Sequence, residues 1–162
     1  MIITKNKTLK STENLLNDIR YGFNNLIAQN HPIYNITINN TGRRSKEELR
    51  FYLTNKLFNK IKNDYKYSDE VINYFYMIEY PTKVSIGNQM PETCEVHAHI
   101  ILGTTLTEQT IIKYIIDTFK IQKDKVYIKD ITKRDDKHNF VNYLTKQRNY
   151  ITSDSYNFKI KI

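Results

Sequence analysis

Between Ile33 and Ile131 the hydrophobic periodicity switches between two residues and the helical repeat in the order strand, helix, strand, strand, helix, strand. That order restricts the fold more than any single motif does. In "HPIYNITINN", Tyr34, Ile36 and Ile38 fall on one side and Asn35, Thr37 and Asn39 on the other, ahead of the turn-like "NNTGRR". Ser45 followed by Glu48 makes a capping box, and Leu49, Leu53, Leu57 and Ile61 carry a helix to about Asn63. "VINYFYMIEY" reads as a strand ending at Pro81. The polar "PTKVSIGNQMPET" then leads into "EVHAHIILG", which predicts an antiparallel hairpin with a long loop. "TEQTIIKYIIDTF" is a helix from a Thr107 cap, "KVYIKDI" a last strand, and "HNFVNYLTKQRNY" a final helix capped by Asp135 or Asp136. Ahead of all these, Leu15, Ile19, Phe23 and Leu26 form the apolar stripe of a helix capped by Ser11.

The elements assemble naturally as an α+β, ferredoxin-like (RRM-like) βαββαβ antiparallel sheet, with an extra N-terminal helix and a C-terminal helix. Helices are expected on one sheet face, leaving the polar Asn35–Thr37–Asn39 row on an open face where function is to be sought. A chain of 162 residues is expected to be one domain, residues 1–162 with a core of about 33–150. Lys and Arg number 25 against 17 Asp and Glu, a formal charge of +8 that favours a polyanionic partner. The single cysteine, Cys94, excludes an intrachain disulfide, and neither a signal peptide nor a membrane span is legible, which fits the cytoplasm of a host cell.

Chemistry enters with His97 and His99. Side chains alternate across a strand, so both imidazoles project to the same face, an arrangement suited to a metal ion. Glu79, near the end of the preceding strand, shares a side with Phe75 and Met77. Whether that is the histidine side depends on register, which the sequence leaves open. Two histidines and one carboxylate are a familiar ligand set for a divalent ion with open positions. On the last helix, Tyr143, Lys146 and Gln147 are spaced three and four residues apart and share a face. A tyrosine there can serve as an oxygen nucleophile toward a phosphodiester, with Lys146 lowering its effective pKa or steadying phosphate charge.

Three segments in this order resemble the HUH endonucleases, specifically the rolling-circle replication initiators of small plasmids and circular single-stranded DNA viruses. "ITINN" is similar to the family's first motif, "VHAHIIL" to its His-hydrophobic-His motif and "YLTK" to its tyrosine-x-x-lysine motif; together they span about Ile33 to Gln147. The resemblance implies a βαββαβ fold in which His97, His99 and Glu79 hold Mn²⁺ or Mg²⁺. It implies that Tyr143 cuts single-stranded origin DNA, leaving a 5′-phosphotyrosine link and a free 3′-hydroxyl, with Lys146 supporting the reaction. Thr37, Asn39, Asn40, Arg43 and Gln147 would contact DNA, and Arg44, Lys133, Arg134 and Arg148 would track phosphates. The implied partners are an origin hairpin and a host helicase and polymerase. Ala98 stands where a bulkier hydrophobe is usual, and no G-x-x-x-x-G-K-[ST] loop occurs, so no helicase domain is expected. Tyr150, seven residues after Tyr143, is expected to be structural.

Two other readings have distinct signatures. In a single-strand transposase of the same superfamily, Gln147 rather than Glu79 would be the third ligand. A non-catalytic RRM-like module would stack bases on sheet aromatics, but the first strand offers Asn and Thr there, and the histidine pair goes unexplained.

Overall fold

The structure, a computed structural model, describes residues 1–39, 44–79, 96–146 and 150–162. In chain order it contains β1 (Ile2–Thr4), α1 (Thr12–Ile27), β2 (Ile33–Ile38), α2 (Lys46–Phe51), α3 (Asn59–Asp64), β3 (Ile72–Glu79), β4 (His97–Thr104), α4 (Glu108–Phe119), β5 (Val126–Asp130), α5 (Phe140–Leu144) and β6 (Tyr156–Lys161). All six strands form one antiparallel sheet in the order β1-β6-β3-β4-β2-β5, compatible with a ferredoxin-like α+β fold. The predicted caps form: Ser11, Ser45 and Thr107 each accept a hydrogen bond from the backbone N–H three residues on.

The segment from Lys46 to Asp64 is continuous but not uniformly α-helical, because Tyr52–Phe58 widens into a π-helix between α2 and α3. Its buried residues Leu49, Leu53, Leu57 and Ile61 recur every four positions. In a regular α-helix such a stripe advances about 40° per step. Unwinding the middle turns keeps all four on the face that meets the sheet.

One core lies between this segment, α4 and the sheet face of Tyr34, Ile36, Tyr76, Ile78 and Ile100. A second occupies the opposite face, where α1 and α5 cover Ile33, Phe75, Met77, Ile101 and Phe158. Helices therefore flank the sheet on both sides, contrary to the one-sided arrangement expected. The apolar stripe of α1 needed a surface to bury against, and β6, which was not anticipated, supplies part of it. Gly22 permits the close approach, since a Cβ there would sit 2.5 Å from the Phe158 ring. A Gly22→Ala exchange gains about 1 kcal/mol of helix propensity but overpacks a rigid buried ring at a cost of about 1–3 kcal/mol. Net destabilisation is expected, read as a lower urea midpoint; a midpoint at or above that of the native chain would show that α1 relaxes freely.

"KVYIKDI" is not the last strand, because β6 follows it and takes the sheet position beside β3. The final helix is also shorter than predicted. A 3₁₀ turn at Lys137–Asn139 precedes α5, and neither element has a side-chain cap from Asp135 or Asp136. Asp136 instead receives both hydrogen bonds of the Arg134 side chain. Among the described residues no helix is long and apolar enough to cross a membrane.

Candidate active site

Strand register settles which way Glu79 faces. Glu79 pairs directly with His97 and Met77 with His99, so the carboxylate lies on the histidine face. Thr37 of β2 pairs with His99 from the other flank, and α5 closes over this end of the sheet. The site is thus built from the ends of three adjacent strands and one helix.

Glu79 is the centre of the arrangement. Its Oε2 lies 2.6 Å from His97 Nε2 and 2.7 Å from His99 Nε2, while Oε1 accepts a hydrogen bond from Lys146 Nζ at 2.8 Å. Both Glu79 and His99 are buried, and His97 is partly exposed. Burial alone would raise the pKa of the Glu79 carboxyl, but hydrogen bonds from His97, His99 and Lys146 outweigh it and hold the group well below its ordinary value. Glu79 is therefore an anion. For Lys146, burial pulls the pKa down while pairing with Glu79 and Tyr143 pulls it up, and the pairing prevails. Lys146 is accordingly a fixed cation rather than a base.

Thr37 was expected against DNA; the structure places its Oγ1 3.2 Å from His99 Nδ1. In neutral His99 with its Nε2 proton directed at Glu79, Nδ1 accepts from the Thr37 hydroxyl. When Nε2 binds a cation, the Nδ1 proton is donated to the same oxygen. A hydroxyl serves both states without rearrangement.

Glu79, His97 and His99 form a group whose donor atoms all lie within 4.8 Å of one another, able to hold a metal ion. Both Nε2 atoms converge on one carboxylate oxygen, so the donors already point at a shared centre. Tyr143 stands beside them: its ring meets His99 edge-to-face with centroids 5.3 Å apart, and Lys146 Nζ lies 3.8 Å from its centroid. Half the tyrosine surface is open to solvent. A tyrosine, a cation and a group able to ligate a metal ion are thereby gathered at one sheet end.

Other expected residues fare differently. Asn39 is exposed at the end of β2, and Lys133 is exposed after β5. Arg44 does not face the site; its guanidinium packs 4.0 Å over the Tyr52 ring on the opposite side of the sheet. Asn40, Arg43, Gln147 and Arg148 lie outside the described residues. Tyr150 is exposed and borders a small cleft also lined by Glu79 and Leu144.

Sequence reasoning missed Tyr127 and Lys129. Tyr127 pairs with Thr37 and Lys129 with Asn35, so both stand on the site face of β5, exposed. The signal was present in "KVYIKDI", where Val126 and Ile128 turn inward and Tyr127 and Lys129 outward. Compared with family models, curated proteins and solved structures, the chain matches none of them.

Proposed function

We propose that the protein is a metal-dependent, site-specific single-stranded DNA endonuclease and joining enzyme that starts rolling-circle replication through a covalent tyrosine link. The observation that carries this reading is the convergence of Glu79, His97 and His99 beside a half-exposed Tyr143 and a fixed Lys146 cation. Two imidazole nitrogens with one carboxylate suit Mn²⁺ better than Mg²⁺, which prefers oxygen donors. When bound there, a divalent ion supplies neutralisation and polarisation of the scissile phosphate.

The chain's own groups do the rest. Tyr143 Oη attacks phosphorus, its proton passing to solvent; the P–O3′ bond breaks and the 3′-oxygen takes up a proton. The product is a 5′-phosphotyrosine, and attack by a 3′-hydroxyl reverses the step without a nucleotide cofactor. Lys146, kept protonated by Glu79, lowers the cost of developing phenolate and phosphate charge. Thr37, paired with Nδ1, would fix the His99 ring with Nε2 turned toward Glu79, where a metal ion would be held. Tyr127 and Lys129, one row out from the site, are suited to stack a base and meet a phosphate.

The direct test incubates the protein with Mn²⁺ and single-stranded DNA from a randomised hairpin pool. A denaturant-resistant protein–DNA band that EDTA abolishes is the expected result. Binding without an adduct under several metals would favour a non-catalytic nucleic-acid module. Tyr127→Ala is expected to weaken single-strand binding by about 1–3 kcal/mol, roughly five- to 150-fold, without changing metal affinity. Unchanged anisotropy titrations would place the strand elsewhere.

A further inference from the structure

A cavity of about 500 Å³ opens between α2 with its π-helical continuation and the β1–β6–β3 side of the sheet, and it shares no residue with the Glu79 site. Its lining carries five cationic side chains, Lys5, Lys7, Lys46, Arg50 and Lys159, against two carboxylates, Glu47 and Asp154. Two of these cations are nearly withdrawn from water: Lys5 is 8% and Lys46 6% exposed.

The cluster is held in place. Lys5 Nζ donates to the carbonyls of Ser153 and Tyr156, Lys46 Nζ to the Thr152 hydroxyl, and Arg50 to Asp154 at 2.8 Å. The lysine anchors just named are oxygens that fix the positions of the ammonium groups, and the Asp154 carboxylate acts on both lysines from the cavity wall. Burial, with the neighbouring Arg50 charge adding to it, outweighs the pull of Asp154 and Asp18 and lowers the pKa of Lys5 to about 8. Confining like charges at the wall of an open cavity costs the isolated chain free energy that a bound anion offsets.

The rest of the lining narrows the kind of anion. Phe51, next to Arg50, is 48% exposed, and the amides of Asn55 and Asn157 also reach the cavity. An open aromatic ring, amides and a surplus of cations match a nucleobase joined to a phosphate, and the volume falls in the small-molecule range. We propose that this cavity binds a nucleotide, its phosphate facing Lys5, Lys46, Arg50 and Lys159 and its base against Phe51, either as a free nucleotide or as one unit of a single strand. The assignment rests on the cavity alone and holds whether or not the protein cuts DNA.

The test uses the full chain in EDTA, where no metal-dependent cleavage occurs, with two probes: thymidine 5′-monophosphate by calorimetry and a short fluorescein-labelled oligothymidylate by anisotropy. The Lys7→Gln, Lys159→Gln double variant is expected to weaken binding about tenfold or more, and Phe51→Ala about fivefold or more, both with native-like circular dichroism. Weakening for the mononucleotide assigns a free nucleotide; weakening for the oligonucleotide alone assigns a strand. Folded variants that keep native affinity for both probes, or a native chain that binds neither, would overturn the proposal. A protein that forms the tyrosine adduct yet shows no effect of these variants would overturn it while leaving the nicking reading intact.

Discussion

On the proposed reading, Tyr143→Phe is expected to abolish the covalent protein–DNA adduct, with a loss of about 10³-fold or more, because the exchange removes the attacking oxygen and, beyond it, only the hydroxyl's contact with Lys146. The phenyl ring keeps the edge-to-face contact with His99 and the Lys146 ammonium over its face. Half of Tyr143 faces solvent, and Lys146, which the hydroxyl meets, remains paired with Glu79. Thermal midpoint and Mn²⁺ affinity should therefore match the native chain, and single-strand binding should persist. Denaturing gels with radiolabelled DNA read the adduct; calorimetry reads the ion. Should the adduct survive in Tyr143→Phe, the nucleophile lies elsewhere. Tyr150, exposed at the cleft beside Glu79, is then the residue to replace next.

The histidine pair, its shared face and the strand alternation of Tyr34, Ile36 and Ile38 were all legible, because side-chain direction in a strand depends only on local backbone geometry. The orientation of Glu79 was not. Its side follows from the Glu79–His97 pairing, and pairing is a tertiary fact that the long connection between β3 and β4 leaves unspecified. The stripe of α1 announced burial without saying against which face. Only the ring of Phe158 under Gly22 identifies the partner. β6 did carry a signal: Tyr156, Phe158 and Ile160 alternate with Asn157, Lys159 and Lys161. β1, three residues long, carried too little pattern to read. The four-residue spacing from Leu49 to Ile61 predicts a helix, and strict spacing of four already exceeds the α-helical repeat and asks for the π-helical stretch. The shortened α5 lies in a segment where His138, Asn139, Val141, Asn142 and Thr145 are all weaker helix formers than Leu or Lys.

Glu79→Gln separates the ligand sets more sharply than any other exchange. The amide keeps the carboxylate's shape but has one acceptor oxygen and no charge, so it cannot serve both imidazole Nε2 atoms and Lys146 as Glu79 does. Loss of an outer-shell partner typically costs 10- to 100-fold in metal affinity, and loss of an anionic ligand should cost about 100-fold or more. Calorimetric titration with Mn²⁺ checks this. A second signature appears in the metal-free protein in EDTA. The folded Glu79 carboxyl sits below its ordinary 4.5, so at acid pH the unfolded chain binds more protons than the folded one. The stabilisation is complete above pH 4.5 and is lost as pH falls toward the lowered folded value. Glu79→Gln lacks that contribution, so its stability should be lower at neutral pH, by about 2 kcal/mol, and the gap should narrow on acidification below pH 4.5. An exchange that leaves Mn²⁺ affinity within twofold of native would remove Glu79 from the ligand set. If Gln147→Ala then lost the ion instead, the transposase arrangement would replace the initiator reading, with Tyr143 still the nucleophile and Glu79 reduced to the anchor of Lys146.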